Sequence, residues 1–206
     1  MEPVPRFPHR LADLWWLLAH DTRGRAVVGP HHFAIGLTAC ALGEVFTQVG
    51  GGLDVDGNVV ADPVVAHVVG EVRGAARERV VKPARAWVEW LAANEVPELE
   101  RAVVVRMVGA GWLLNDGRHT WPKDSLTAFT PVTALITAAG GAHAVSDALR
   151  VLAGVTSACG LAPLVGSSGE DMVRPLQLLA MELPKPLYGL VAAVDDAIHA
   201  LATRLR

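Results

Sequence analysis

Two neighbouring histidines, His31 and His32, stand at the start of an apolar stretch that runs from Pro30 to Val49. The first turn of a helix offers unpaired N–H groups and the positive end of the helix dipole, so histidines there can help to hold an anion. The same pattern is typical of two partly exposed histidines that bind nothing. The pair is therefore a candidate anion site, and by itself it defines no reaction.

The motifs that mark common enzyme and metal sites are missing from the sequence. It contains no Gly-x-x-x-x-Gly-Lys phosphate loop, no His-Glu-x-x-His zinc helix and no Cys-x-x-Cys pair. Ser167 lacks the Gly-x-Ser-x-Gly surroundings of a nucleophile. Asp195 and His199 lie one helical turn apart, but two ligands are too few for a metal. We expect no catalytic residue, no metal and no cofactor, and hence no enzyme.

A second group of polar side chains follows a hairpin signal at Asp116 and Gly117. An Asp-Gly pair between apolar segments favours a tight β-turn, because a type I′ turn needs positive φ at both central positions. The candidate contact surface on the returning side consists of Arg118, His119, Trp121 and Lys123. An aromatic ring beside cations suits the head-group depth of a membrane. It also suits a contact with a partner subunit or simple local packing.

Composition places the chain among ordinary globular proteins. It has 206 residues, of which 51% are apolar, and a formal net charge of −3. This length favours one domain, which can bury roughly 70% of its unfolded surface without help from a disulfide or metal. Cys40 and Cys159 are the only cysteines and are expected to be buried thiols. We find no secretory signal and no apolar run of about 20 residues, so we expect a cytoplasmic protein.

The stretch from Pro30 to Val49 is predicted to be the central helix of the fold. Proline is tolerated at the first helical position, and the glycines at 50–52 end the segment. Between Phe33 and Gln48 the only charged residue is Glu44. A helix that is apolar on nearly every side must be buried all round. The predicted fold is mainly α: a central buried helix in a helical bundle ringed by amphipathic helices, with two short β-hairpins.

The other predicted elements follow the same signals. Residues 1–10 carry three prolines and are expected to form an extended arm, and residues 11–206 a single helical domain. One hairpin is expected at Leu53–Val60 and the other around Asp116. The remaining helices are predicted at Leu11–His20, at Asp62–Arg79, from Pro83, at Pro97–Gly109, from Pro131, from Ser146, at Glu170–Leu183 and at Leu187–Leu205.

Several segments in this order resemble the Golgi phosphoprotein 3 family, including its actinobacterial members. The matching segments are Leu11–Arg25, Gly36–Phe46, Leu53–Val60 and Glu100–Leu113 with the hairpin that follows. The resemblance implies a helical bundle with a projecting β-hairpin used in self-association. It also implies a protein without catalytic activity, since the eukaryotic members bind phosphatidylinositol 4-phosphate on Golgi membranes and act as adaptors for glycosyltransferases.

The head-group pocket of that family uses a tryptophan and three arginines. By alignment the tryptophan falls near Gly29, one arginine on Thr38, and the other two on Pro97 and Glu100, so none is retained. A phosphate without arginine loses bidentate, charge-assisted hydrogen bonds. A substitute site for an anionic head group is therefore predicted from nearby residues: His31, His32, Thr38, Arg101 and Arg106.

Three classes of function stay open at this point. The first is a non-catalytic cytoplasmic protein that docks on a membrane or a protein partner; the net charge of −3 favours the protein partner over anionic lipid. The second is a winged-helix-like nucleic-acid binder, although the helix before the second hairpin is too apolar to read DNA. The third is an enzyme on a helical scaffold, or an accessory or structural subunit, for which no convergent set of catalytic groups can be named.

Overall fold

Helices dominate the chain, as the sequence predicts. The computed structural model describes residues 10–47, 84–141, 145–166 and 171–204. The predicted arm, the first hairpin at Leu53–Val60 and the helix at Asp62–Arg79 lie outside these residues, apart from Arg10. The elements are α1 Leu11–Leu18, α2 Pro30–Thr47, α3 Ala84–Asn94, α4 Val96–Gly109, β1 Leu113–Asn115, β2 Thr120–Pro122, α5 Ser125–Ala139, α6 Asp147–Ala158, α7 Ala162–Val165, α8 Val173–Met181 and α9 Lys185–Arg204.

Helix α2 is the centre of the bundle. It packs against α1, α3, α4, α6 and α9. Leu37 and Cys40 are fully buried, and Ile35 and Leu42 are nearly so. The prediction of a buried central helix is confirmed, because side chains pointing in different directions around α2 are all covered by neighbouring helices.

Helix α1 crosses α2 at a glycine. A Cβ added at Gly36 would lie 2.0 Å from Cζ2 of Trp15, so only glycine lets the indole ring rest against the α2 backbone. The ring is fully buried, and its Nε1–H donates to the carbonyl of Phe33 at 3.1 Å. This hydrogen bond satisfies the one polar atom of a large buried side chain and fixes where α1 sits on α2.

The second hairpin forms at the predicted place but turns one residue later. Leu113 pairs with Pro122, Leu114 with Trp121 and Asn115 with Thr120. The N–H of Asp116 donates to the carbonyl of His119 at 3.2 Å, so Gly117 and Arg118 are the central residues of the turn. Gly117 takes a φ of 86°. The Asp116 carboxylate accepts the N–H groups of Arg118 and His119 instead of occupying the turn itself.

The start of α5 also differs from the prediction. The carboxylate of Asp124 accepts the N–H of Thr127 at 2.7 Å and begins the helix at Ser125, so that Pro131 lies inside it and does not start it. The predicted helix start at Ser146 is confirmed, since its hydroxyl accepts the N–H of Leu149 and caps α6. The short helix α7 was not predicted. None of the described helices is long and apolar enough to cross a membrane.

Candidate functional site

A cleft of about 430 Å³ lies between the loop that follows α1, one side of α4 and the turn of the hairpin. Trp16 and Val104 form part of its apolar lining. Its charged and titratable lining consists of His20, Arg23, Arg25, Glu100, Arg118 and His119. Three arginines and two histidines therefore face a single carboxylate. We call this feature the cationic cleft.

The loop that carries Arg23 and Arg25 is held in a tight turn by hydrogen bonds between its own residues. The carboxylate of Asp21 accepts the N–H of Arg23 at 2.8 Å and that of Arg25 at 2.9 Å. The N–H of Asp21 in turn donates to the carbonyl of Arg25. These backbone hydrogen bonds, the one from Arg25 first, lower the pKa of Asp21. The carboxylate is thus occupied by N–H groups within the loop.

The backbone of this loop lies in close contact with the backbone of strand β2. Gly24 has a φ of 72°, and a Cβ at this position would lie 1.7 Å from the carbonyl oxygen of Thr120. Only glycine allows this conformation and this approach together. The contact brings Arg23 and Arg25 beside the hairpin turn, where Arg118 stands. Three arginines from two distant parts of the chain therefore converge on one cleft.

The cleft has an excess of positive charge. Arg23, Arg25 and Arg118 are exposed, and none of them forms an ion pair with a residue in the described ranges. The carboxylate of Asp116 accepts two hairpin N–H groups, which lower its pKa, and lies 3.9 Å from the exposed imidazole of His119. The charges of Arg25 and Arg23 also help to lower the pKa of Asp21, after the backbone hydrogen bonds. Exposed guanidinium groups that form no close ion pair are suited to binding a phosphate or another oxyanion in two-pronged hydrogen bonds.

His20 forms part of the cleft wall. Its ring stacks on Trp16 with centroids 4.0 Å apart and meets the edge of Phe33 at 5.3 Å. Because a carbonyl only accepts, the Nδ1–H donates to the carbonyl of Trp16 at 2.8 Å. Burial lowers the pKa of His20 below its ordinary value of 6.5, although the bond to Trp16 and the charge of Glu100 act in the opposite direction. The ring is therefore neutral at pH 7.

A buried ion cluster lies where α1, α2 and α4 meet. Nε of Arg106 donates to Oδ1 of Asp13 at 3.0 Å, and Nη1 lies 3.7 Å from Oε2 of Glu44. The side chains of Asp13, Glu44 and Arg106 are 1%, 2% and 11% exposed. Oε1 of Glu44 also accepts the N–H of Ala12 at 2.8 Å, at the start of α1. The cluster ties three helices together and holds the wall of α4 in place beside the cleft.

The structure distributes the residues of the sequence-predicted head-group site over different environments. Thr38 is fully buried in α2, and Arg106, whose side chain is 11% exposed, is held in the ion cluster. Arg101 is exposed and lies 3.9 Å from Glu98. His31 is exposed and lines a separate cavity between α2, α3 and α9, while His32 is half-buried. The five residues therefore lie in different surroundings, and the predicted head-group site stays a prediction.

The predicted hairpin surface is divided between two faces. Arg118 and His119 line the cationic cleft. Trp121 is half-buried and stands opposite Leu114, on the face of the hairpin that points away from the buried pair Leu113 and Pro122. Lys123 is exposed just beyond β2. Two of the four residues thus belong to the cleft, and Trp121 belongs to the outer face.

Sequence reasoning missed Arg23, Arg25 and His20 as site residues. The composition of the segment Asp21–Arg25 predicts only a turn between two helices. Its signal was the pair of arginines around a glycine, but nothing in the sequence indicates that a hairpin about 95 residues later packs against them. Among the residues that the structure describes, no group of three or more His, Cys, Asp or Glu side chains is arranged to hold a metal.

Comparison with models of protein families, with curated proteins and with solved structures finds no match to this chain. The resemblance to the Golgi phosphoprotein 3 family therefore stays a prediction from the segments quoted above.

Proposed function

We propose that this chain is a non-catalytic, cytoplasmic peripheral-membrane or adaptor protein that binds an anionic head group in the cationic cleft. The observation that carries the proposal is the convergence of Arg23, Arg25 and Arg118, none paired with a described carboxylate, on one cleft. We assign head-group binding to these three arginines in place of the residues that the sequence predicts. The likeness to the Golgi phosphoprotein 3 family supports the same class of ligand.

The lining of the cleft favours a phosphorylated polyol. Arginine binds phosphate oxygens through a planar fork of N–H donors. The carboxylate of Glu100, which is half-buried and also lines the cleft, can accept hydrogen bonds from hydroxyl groups. A volume of about 430 Å³ lies within the range of small-molecule sites. Phosphate and hydroxyl groups on one ring, as in an inositol phosphate head group, would use both the arginines and Glu100.

The outer face of the hairpin supplies a second contact. Leu114 is 43% exposed and stands beside Trp121, so this face offers an apolar surface to a protein partner or to the membrane interface. The net charge of −3 opposes a general attraction to anionic membranes. Membrane recruitment is therefore expected to depend on the local charge of the cleft, together with a protein partner.

Vesicle flotation tests the proposal. The probes are vesicles of phosphatidylcholine alone, with phosphatidylserine, and with phosphatidylinositol 4-phosphate. Each cation near an anionic surface contributes roughly 1 kcal/mol, so replacing Arg23, Arg25 and Arg118 together by Gln should weaken vesicle binding by about 100-fold. A matched variant with the same change of charge replaces Arg85, Arg174 and Lys185, which are exposed elsewhere, and should bind like the wild type.

The outcomes separate the alternatives. Equal flotation of the wild type with neutral and anionic vesicles would refute the head-group proposal. If the two triple variants lose vesicle binding equally, the binding depends on overall charge and not on a specific site. If Arg101→Gln abolishes binding and the cleft variant does not, the sequence-predicted site is correct and the cleft is not the binding site.

The structure gives little support to the winged-helix, nucleic-acid-binding alternative. Helix α4 and the hairpin are adjacent, as such a domain requires. However, the exposed side of α4 carries Val105 and Val108, which offer no hydrogen bonds to bases or phosphates, beside a single arginine, Arg101, that lies 3.9 Å from Glu98. We therefore do not adopt this function.

A further inference from the structure

The two ring nitrogens of His20, in the wall of the cationic cleft, have different surroundings. Nδ1 lies 2.8 Å from the carbonyl oxygen of Trp16. Because a carbonyl oxygen only accepts, this bond keeps a hydrogen on Nδ1 in the neutral ring as well as in the charged ring. Nε2 has no hydrogen-bond partner among the described residues, and the side chain lines the cleft. Nε2 is therefore the ring nitrogen that is left for a ligand.

Packing fixes the orientation of this ring. It stacks on the indole of Trp16, with centroids 4.0 Å apart and 15° between the planes, and it meets the edge of Phe33 at 5.3 Å. Trp16 and Phe33 are themselves buried. A half-turn of the imidazole within this packing would exchange Nδ1 for a carbon atom and lose the hydrogen bond to the carbonyl of Trp16. The bond thus determines which nitrogen carries the hydrogen in the neutral ring.

A neutral ring in this tautomer does not suit an oxyanion. With its hydrogen on Nδ1, the imidazole presents only a lone pair at Nε2. A sulfate or a fully ionised phosphate also presents only lone pairs, so the two groups repel each other. Burial keeps the ring neutral at pH 7, because it lowers the pKa of His20. A proton on Nε2 turns this nitrogen into a charged donor and the repulsion into a charge-assisted hydrogen bond.

Charged groups from three segments surround the ring. They are Asp21, Arg23 and Arg25 in the loop after α1, Glu100 on α4, and Arg118 and His119 in the hairpin turn. The side towards α2 presents the uncharged ring of Phe33. The charges of Glu100 and Asp21 favour the protonated form of His20, but burial outweighs them. An oxyanion in contact with Nε2 would add a nearby negative charge and shift the balance towards the protonated form.

We propose that the cationic cleft binds its oxyanion together with one proton, which His20 takes up at Nε2 in order to donate a hydrogen bond to the ligand. The proton comes from the solvent, and no covalent bond to the ligand forms. This inference rests on the proposed function, because it places the anionic group between His20 and the three arginines of the cleft. It adds His20 to the ligand-binding residues and makes head-group binding stronger as the pH falls.

The size and direction of the effect follow from linkage. A hydrogen bond between a charged donor and a charged acceptor strengthens binding by about 10–100-fold. The affinity should be constant above the pKa that His20 has in the complex. It should then rise by up to about tenfold for each unit that the pH falls. Below the pKa of the free protein, which lies under 6.5, it should be constant again.

A titration of the histidine rings by nuclear magnetic resonance tests the proposal on the unaltered protein. Sulfate is the probe, because it stays a dianion over the range used, whereas a phosphate monoester itself titrates near pH 6. The ring resonances are followed from about pH 8.5 to 5 with sodium sulfate and with sodium chloride at equal ionic strength. Sulfate should raise the pKa of His20 by about one to two units relative to chloride. The nitrogen shifts of the free protein at high pH should show the hydrogen on Nδ1.

Two variants test whether the pH dependence of binding belongs to this histidine. His20→Gln keeps a polar side chain that does not titrate, and its spectrum also assigns the His20 resonance. It should bind sulfate about as well as the wild type at high pH and lose the gain at low pH. His119→Gln removes the exposed histidine of the same cleft and should keep the gain. Amide shifts of cleft residues measure the affinity, and circular dichroism shows that each variant is folded.

The outcomes distinguish this inference from the proposed function. If cleft amides respond to sulfate but the pKa of His20 does not, the cleft binds anions without the proton and the inference is wrong. If no cleft residue responds to sulfate at any pH, both the cleft and the proton coupling are refuted. If His119→Gln removes the pH dependence and His20→Gln does not, the coupling belongs to the exposed histidine. An equal rise of the pKa in chloride would likewise refute a specific contact between His20 and the oxyanion.

Discussion

Replacing Gly36 by alanine should destabilise the protein, although alanine is the better helix former. The new Cβ would lie 2.0 Å from Cζ2 and 2.3 Å from Cε2 of Trp15. The ring must therefore retreat by about 1.5 Å to reach ordinary contact distance. It cannot do so freely, because it is fully buried and its Nε1–H is bound to the carbonyl of Phe33.

The magnitude follows from three contributions. Overpacking of a well-filled core costs about 1–3 kcal/mol. A weakened hydrogen bond costs about 1 kcal/mol more, and the helix preference of alanine offsets about 1 kcal/mol. We therefore expect Gly36→Ala to lower the free energy of unfolding by about 1–3 kcal/mol, and the melting temperature by roughly 2–12 °C for a chain of this size.

Gly189 provides the matched control. It lies inside α9, and nothing approaches within 4 Å of the place that its Cβ would occupy. Gly189→Ala should therefore stabilise the protein by about 0.5–1 kcal/mol. Urea titrations followed by circular dichroism would measure both variants. If Gly36→Ala lies within about 0.5 kcal/mol of the wild type or above it, the packing argument at Trp15 is wrong.

Three further predictions concern the groups around the cleft and in the core. Arg106→Met should cost about 3–5 kcal/mol in urea denaturation, because it leaves buried carboxylates without their guanidinium, whereas Arg101→Met should cost less than about 0.5 kcal/mol; equal losses would contradict the ion cluster. Since the pKa of His20 is lowered in the folded protein, the unfolded chain binds more protons, and stability should fall as the pH drops below about 6.5. His20→Gln should flatten this slope in melting curves between pH 7.5 and 5, and an unchanged slope would assign it to other groups. Burial raises the pKa of Cys40 well above its ordinary value and that of Cys159 to about 12, so neither thiol should react with a disulfide reagent at pH 8 until the protein unfolds; rapid reaction of the native protein would refute their burial.

The central helix could be predicted from the sequence because its signal is local. From Phe33 to Gln48 only Glu44 carries a charge, and a segment without a polar face has no place at the surface. The start of α5 could not be placed as easily, because Pro131 and the Asp124 cap both mark helix starts. The helix begins after the cap, because Asp124 accepts the N–H of Thr127 and the helix accommodates the proline at a buried position.

The two charged features depend on contacts that no local pattern encodes. Asp13 interrupts an apolar run and Glu44 is the single charge of α2, so both were visible as exceptions, but their partner Arg106 lies 93 positions after Asp13. The cleft likewise joins a turn after α1 to the tip of a distant hairpin. Only the folded chain shows that Gly24 lets these two segments meet.

The meeting of Gly24 with Thr120 is a contact between two backbones, and neither can yield by changing a rotamer. A protein that bound the hairpin and moved it towards the turn at residues 21–25 would therefore displace that turn as well. The spacing of the three guanidinium groups would then change, and with it the affinity for an oxyanion. Under the proposed function, docking on the hairpin and head-group binding are thus expected to be linked thermodynamically, each altering the other by the same factor.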